Sequence, residues 1–405
     1  LGPKALPYLL AALEDQTPTK LVVKHEGFLG SMWFDHELRG NPGNAAEQEV
    51  LGRLPPGSPS ARHEAQQTYA VKIGDVCFVI VGQIVGRSYS AVRYQPTANI
   101  VLNSPTHDPA LADAVRKIWS SDDPAQHLLD SLLLDFASEG VFNGRSLDGW
   151  GVGSTLQCQA ALRLLYYFPG ETGPLIATRL GKLNVEGFGP GSTRRSPEQM
   201  QVGLKREVAN GVRAVDLTRA VAWSEEPPIR AALRAIFTTT TDSNILRSSL
   251  PAVFASEPET ARSRLEDFLV RLPETENGPF GDGYNLLLEL GTRFGSAARP
   301  AFERYLDHAS AQRIRTMSRV LRTTRGEWSV ALLAASLDDR RPANGETYAL
   351  NPGQNEPRRP IRLCDEVAET IVTNFPALAF KMAGEPEGLD RQIATMRDRI
   401  AHNDF

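Results

Sequence analysis

The sequence predicts a mainly α protein, an α/α superhelix in which antiparallel helix pairs stack into one right-handed array over residues 1–405. Three matches within the chain predict it. Leu9-x-x-x-Leu13-Glu14-Asp15 near the start answers Leu333-x-x-x-Leu337-Asp338-Asp339 near the end. Val71-Lys72-Ile73-Gly74-Asp75 answers Ile361-Arg362-Leu363-Cys364-Asp365, and each opens an apolar run. Gly2-x-x-Ala5-x-Pro7-x-Leu9-x-x-x-Leu13-Glu14 answers Gly295-x-x-Ala298-x-Pro300-x-Phe302-x-x-x-Leu306-Asp307, and Pro174-x-Ile176-x-x-x-Leu180 repeats its centre. Apolar residues four apart share one helical face, so a recurring unit of this kind reads as stacked helix pairs.

Taken in order, Pro7 and Pro300 sit near helix starts, where the first-turn N–H groups lack intrahelical partners anyway. Residues 16–70 form a long insertion between paired helices. It holds Asn41-Pro42-Gly43-Asn44 and Pro55-Pro56-Gly57-Ser58-Pro59, a loop composition. Its removal is expected to leave the fold intact. Thr68–Ile84 could be strand, but its match to the segment from Ile361 favours helix. The stretch 89–102 reads as a small β-hairpin, and strand is expected only over about residues 67–103. His107-Asp108-Pro109 and Asp122-Asp123-Pro124 each read as an N-cap followed by a first-turn proline. Leu156–Phe168, Ala209–Trp223, Pro228–Phe237, Ile245–Phe254, Glu259–Leu272, Ala311–Arg322 and Leu389–Ile400 read as helices, with Thr240-Thr241-Asp242-Ser243 as a cap before Ile245. A second loop insertion, 340–360, holds Asn344-Gly345 and Asn351-Pro352-Gly353.

These residues resemble HEAT repeats. That family has a first helix with a proline, an acidic turn, and a Val-Arg-like step into a second helix carrying Asp. Pro7, Asp15, Val71, Lys72 and Asp75 fill those places once. Pro300 and Asp307 match one part of the pattern, and Asp338, Asp339, Ile361, Arg362 and Asp365 another. The long insertions depart from the family, whose intra-repeat turns are short, and the likeness is loose over about residues 185–280. Gly74–Trp119, with Arg93-Tyr94-Gln95-Pro96 and Asn103-Ser104-Pro105, is similar to an uncharacterised group of bacterial HEAT-like proteins. The resemblance implies an α-solenoid that binds a protein partner. A minority of the family are enzymes, such as bilin lyases and alkyl-purine glycosylases, and no motif specific to either is present.

Composition narrows the function classes. The 405 residues carry 44 Lys and Arg against 48 Asp and Glu, a net charge of -4, with a pI near 6.1. A dedicated nucleic-acid binder is usually basic, so that class is set aside. The basic residues are mostly Arg, which reads as codon bias. No apolar run reaches the roughly 18 residues of a membrane span. Cys77, Cys158 and Cys364 lie far apart, without zinc or redox spacing; Cys77 and Cys364 sit among apolar residues and read as buried thiols. No cofactor motif is found. The chain begins at Leu1 inside what reads as a repeat, so a leader or an earlier repeat is expected to precede it, and no compartment is assigned.

Few residues suggest chemistry. His25-Glu26 and Asp35-His36-Glu37 could ligate a metal, but their spacing fits no ligand pattern, and a solvated loop is the plainer reading. Gly149-Trp150-Gly151-Val152-Gly153-Ser154 could cradle an anion at a helix start; Asp148 and Trp150 capping and packing that helix is preferred. Arg315, Arg319 and Arg322 share one helical face and could grip a carboxylate or phosphate, against an ordinary solvated face paired to Glu303 or Asp307. Trp119, Trp223 and Trp328 read as core. Phe28, Met32, Trp33 and Phe34 form an apolar cluster within the insertion that either tucks onto the body or meets a partner. The leading reading is a non-catalytic protein–protein scaffold with these aromatics and arginines as its partner-binding residues. The alternative is an enzyme or ligand-binding module with a cleft between the concave face and the 16–70 insertion.

Overall fold

The computed structural model describes residues 2–24, 47, 49–50, 68–87, 89–94, 100–138, 156–186, 205, 210, 212–272, 281–307, 309–348, 359–383 and 385–404. These are mainly helical, with three antiparallel two-stranded ribbons. The chain divides into two compact units, Leu1–Asn184 with Lys205–Ala232, and Val185–Leu204 with Leu233–Phe405.

The first unit begins with a 3-10 turn, Pro3–Ala5, that runs into α1 (Leu6–Ala11). The chain leaves as β1 (Pro18–Lys24), returns as β2 (Thr68–Lys72), and passes directly into α2 (Ile73–Val85). A hairpin follows, β3 (Val92–Tyr94) and β4 (Ile100–Leu102). Next come α3 (Pro109–Trp119), α4 (Pro124–Ala137), α5 (Leu156–Tyr167), α6 (Pro169–Gly181) and α7 (Ala214–Val221). Asp108 accepts a hydrogen bond from the Leu111 N–H at 3.2 Å, and Asp123 from those of Ala125 and Gln126. Both prolines therefore stand in the first turn of a capped helix, where a missing N–H loses nothing. Helix α6 begins at Pro169, which leaves Pro174 inside it rather than near its start.

Helix α8 (Pro227–Thr239) contains the division between the units. The second unit continues with α9 (Ser243–Phe254), α10 (Pro258–Val270), α11 (Asp282–Phe294), α12 (Arg299–Leu306), α13 (Ala311–Thr324) and α14 (Glu327–Ala334). Strands β5 (Pro342–Tyr348) and β6 (Arg359–Arg362) then lead into α15 (Leu363–Asn374) and α16 (Pro386–Ala401). Asp242 caps α9 through the N–H groups of Asn244 and Ile245. Helices α9, α11, α13 and α15 pack each on the next, and so do α10, α12, α14 and α16. Their shared apolar face holds Leu246, Leu265, Leu287, Phe302, Met317, Leu333, Val367 and Leu389, all buried.

The three sequence matches are matches of structure. Gly295–Ala298 is a 3-10 turn before α12, as Pro3–Ala5 is before α1. The β1–β2–α2 junction and the β5–β6–α15 junction are built alike. In the first, the N–H groups of Ile73 and Gly74 donate to the carbonyls of Thr17 and Asp15. In the second, Leu363 and Cys364 donate to Arg341 and Asp339. Pro18 faces Lys72 and Pro342 faces Arg362, and both ribbons shift register immediately after that pair.

Two of the sequence expectations do not hold. Strand is not confined to residues 67–103: β1, β5 and β6 lie outside that range. Nor is Thr68–Ile84 all helix, since its first five residues are β2. The 16–70 and 340–360 insertions are thus ribbons at their bases.

Candidate functional site

Four groups of side chains in the first unit and one seam in the second could carry function. The first surrounds Asp75, the N3 residue of α2, which is buried. Its Oδ2 accepts from the Lys72 N–H at 2.8 Å and the Tyr69 hydroxyl at 2.7 Å. Its Oδ1 accepts from the hydroxyls of Ser104 and, at 2.7 Å, Thr106. Burial alone would raise this carboxyl, but the four donors outweigh it and hold its pKa below the ordinary aspartate value. Burial and Asp75 together push the Tyr69 phenol far above its usual range, so it stays a donor. The Thr106 proton goes to Asp75, so His107, whose Nδ1 lies 2.8 Å from the Thr106 oxygen, donates to it. Its Nε2 then carries the lone pair. Burial, then the Lys72 charge, hold the His107 pKa below its ordinary value.

Asp365 occupies the same place at α15. Its Oδ2 accepts from the Arg362 N–H at 3.2 Å, and its Oδ1 from the Arg362 Nη2 at 2.8 Å. One arginine thus replaces the three hydroxyls of the first copy. What the copies share is the buried carboxylate under the strand-to-helix corner, and that is an architectural role. Gly74 belongs to this corner, because a Cβ there would collide with the Leu13 carbonyl and the Thr106 methyl. The second copy has Cys364 at that position. Burial, then the Asp365 charge, push its thiol up to about 11, and burial raises Cys77 likewise. All three cysteines are buried and free of disulfides.

The second group is a buried ion cluster. Arg87 follows Gly86, which ends α2 in the left-handed region at φ 79. Its Nε donates to Glu47 at 2.9 Å, its Nη2 holds the other Glu47 oxygen, and its Nη1 lies 2.6 Å from Asp135. Its guanidinium carbon stands 5.7 Å over the Trp119 ring. Burial pulls the Arg87 pKa down, and the two carboxylates more than reverse that. Arg163 lies nearby and donates to the Gln83 carbonyl at 2.8 Å. The side chains of Arg87, Glu47 and Asp135 have almost no contact with solvent, so the cluster lines no cleft. Glu47 comes from the 16–70 insertion, which therefore supplies part of this unit's interior.

The third group is on the surface. Tyr166 of α5 is 64% exposed and Trp223, just after α7, is 46% exposed, with ring centroids 6.3 Å apart. Leu162 is one turn before Tyr166 on the same face and is exposed too. The Trp223 N–H donates to the Ala220 carbonyl at 2.8 Å, which fixes the ring. Trp223 is thus not core, because the short α7 ends two residues before it and turns its ring outward. Trp119 is core and Trp328 packs partly buried against Phe302.

The fourth group is the β1–β2 ribbon. Leu21 is 63% and Val22 50% exposed, while Val23 and Tyr69 turn inward.

In the second unit, Arg315 is buried and its Nε holds Glu366 at 2.8 Å. Arg322 reaches Glu369 at 3.3 Å and Thr370 at 3.2 Å. Through Arg315 and Arg322 this row therefore ties α13 to α15. Arg319 stands between them, partly exposed. Phe28, Met32, Trp33 and Phe34 lie outside the described residues, as do His25, His36 and the Gly149–Ser154 stretch. Among the described residues no His, Cys, Asp and Glu group has the arrangement of a metal site, and no helix is long and apolar enough to cross a membrane.

No protein family, characterised protein or solved structure matches this chain.

Proposed function

We propose that this protein is a protein–protein interaction scaffold, and that the helix pairs within its units are turns of a HEAT-like α-solenoid. The observation that carries the reading is the Tyr166–Trp223–Leu162 surface. Exposed apolar residues are ordinary when scattered, but adjacent aromatics, one on α5 and one just past α7 with its ring fixed, form the kind of anchor that interfaces use. A fixed ring loses little entropy when a partner covers it. Arg87, Glu47 and Asp135 are sealed inside, and Asp75 and Asp365 cap helices. Phe28, Met32, Trp33, Phe34 and Arg319 stay within this proposal as further contact residues, whereas Arg315 and Arg322 already bind α15.

The test is affinity capture from the organism that encodes the chain, with wild type beside Tyr166→Ser/Trp223→Ser. Exposed substitutions change stability by about 0.5 kcal/mol or less, so folding is kept. Losing an aromatic anchor should weaken a partner by about 2 kcal/mol, roughly thirtyfold. Equal capture by both proteins would remove this surface from the interface.

A further inference from the structure

We propose that the outer edge of β1 is a docking strand for an extended, acidic segment of a partner protein, which adds to the ribbon as a third strand. This rests on the scaffold reading and gives it a second surface with a defined chemistry. Among the described residues the ribbon has two strands only. Val22, Val23 and Lys24 pair in unbroken register with Ala70, Tyr69 and Thr68. In an antiparallel pair successive residues turn their N–H and C=O alternately toward and away from the partner strand. At least one of these three residues therefore points both groups outward, and among the described residues nothing hydrogen-bonds them there. Unpaired backbone groups along an edge are a template for another strand.

The side chains say what that strand carries. Leu21 and Val22 offer apolar surface. Lys20, Lys24 and Lys72 are three of the eight lysines in the chain, and no Asp or Glu occurs in 16–24 or 68–72. A second copy of β1 would set these lysines against their own kind, and like charges opposed across strands are destabilising. The lysines, Pro18 and the register shift after it thus discourage indiscriminate pairing while leaving the edge open to a strand of opposite charge.

The experiment uses the full chain and two labelled eight-residue peptides, one alternating Val and Glu, the other Val and Lys. The acidic peptide should bind at least tenfold more tightly, and Lys20→Glu/Lys24→Glu should remove about tenfold of that affinity. Amide exchange at residues 21–24 should slow only with the acidic peptide. Equal binding of the two peptides, unchanged exchange at 21–24, or self-association of the chain through this edge would each overturn the proposal. The scaffold reading fails separately: Tyr166→Ser/Trp223→Ser would then capture the same proteins as wild type while the acidic peptide still protects 21–24.

Discussion

Asp75 and Asp365 show how much a residue-level match can reveal. Their equivalence was legible because a carboxylate at N3 after a basic N-cap leaves a local signature in sequence. Their partners were not legible: Tyr69 is near in sequence, but Ser104 and Thr106 arrive from about thirty residues away. Asp75→Ala should destabilise by about 2–3 kcal/mol, since it leaves several buried donors unpaired, and Asp365→Ala by about 1–3 kcal/mol. Urea melts that coincide with wild type for both variants would show the corner to be incidental. His107 sets a pH dependence. Its folded pKa is lowered, so the unfolded chain binds the proton more readily. Its contribution is complete above about pH 6.5 and is lost as pH falls from there toward the folded value. His107→Gln should flatten that part of a stability–pH curve; an unchanged slope would contradict the assignment.

At the scale of elements, the ribbons were missed for a physical reason. Strands are read from alternation between a buried and a wet face. Most of β1 is exposed on both faces, so Thr19-Lys20-Leu21-Val22-Val23-Lys24 carries no such period, and the Pro and Gly beyond it favoured a loop. The helices were legible because each buries one face of a four-residue repeat. The expectation that the insertion can be removed freely meets Glu47, forty residues from Arg87 in sequence and bound to it in the interior. An ion pair across such a distance leaves no spacing to find. Glu47→Ala should cost about 1–3 kcal/mol, because it leaves the buried Nε and Nη2 of Arg87 without their acceptor. Replacing residues 25–67 with a short Gly-Ser linker should lower stability by a similar amount and keep the helical spectrum. A melting temperature unchanged by both would place Glu47 outside the core.

At the scale of the molecule, the recurring sequence coincides with a recurring 3-10 turn and a recurring strand-to-helix corner, while the division into two units was not foreseen. Nothing in composition marks it, and one of its three chain crossings runs through α8 rather than through a linker. The second unit has an apolar core of its own from α9 to α16. A fragment of residues 241–405 should therefore fold, with a cooperative melt and a helical far-UV spectrum; a disordered spectrum would show that its core needs the rest of the chain. The scaffold proposal stands on the Tyr166–Trp223 surface receiving a protein. Its most direct measurement is photo-crosslinking in living cells, with a crosslinking residue placed at position 223 or, as a control, at Glu303, an exposed position on α12. A discrete heavier adduct is expected from position 223 and none from 303. No adduct from 223, or the same adducts from both positions, would contradict the proposal.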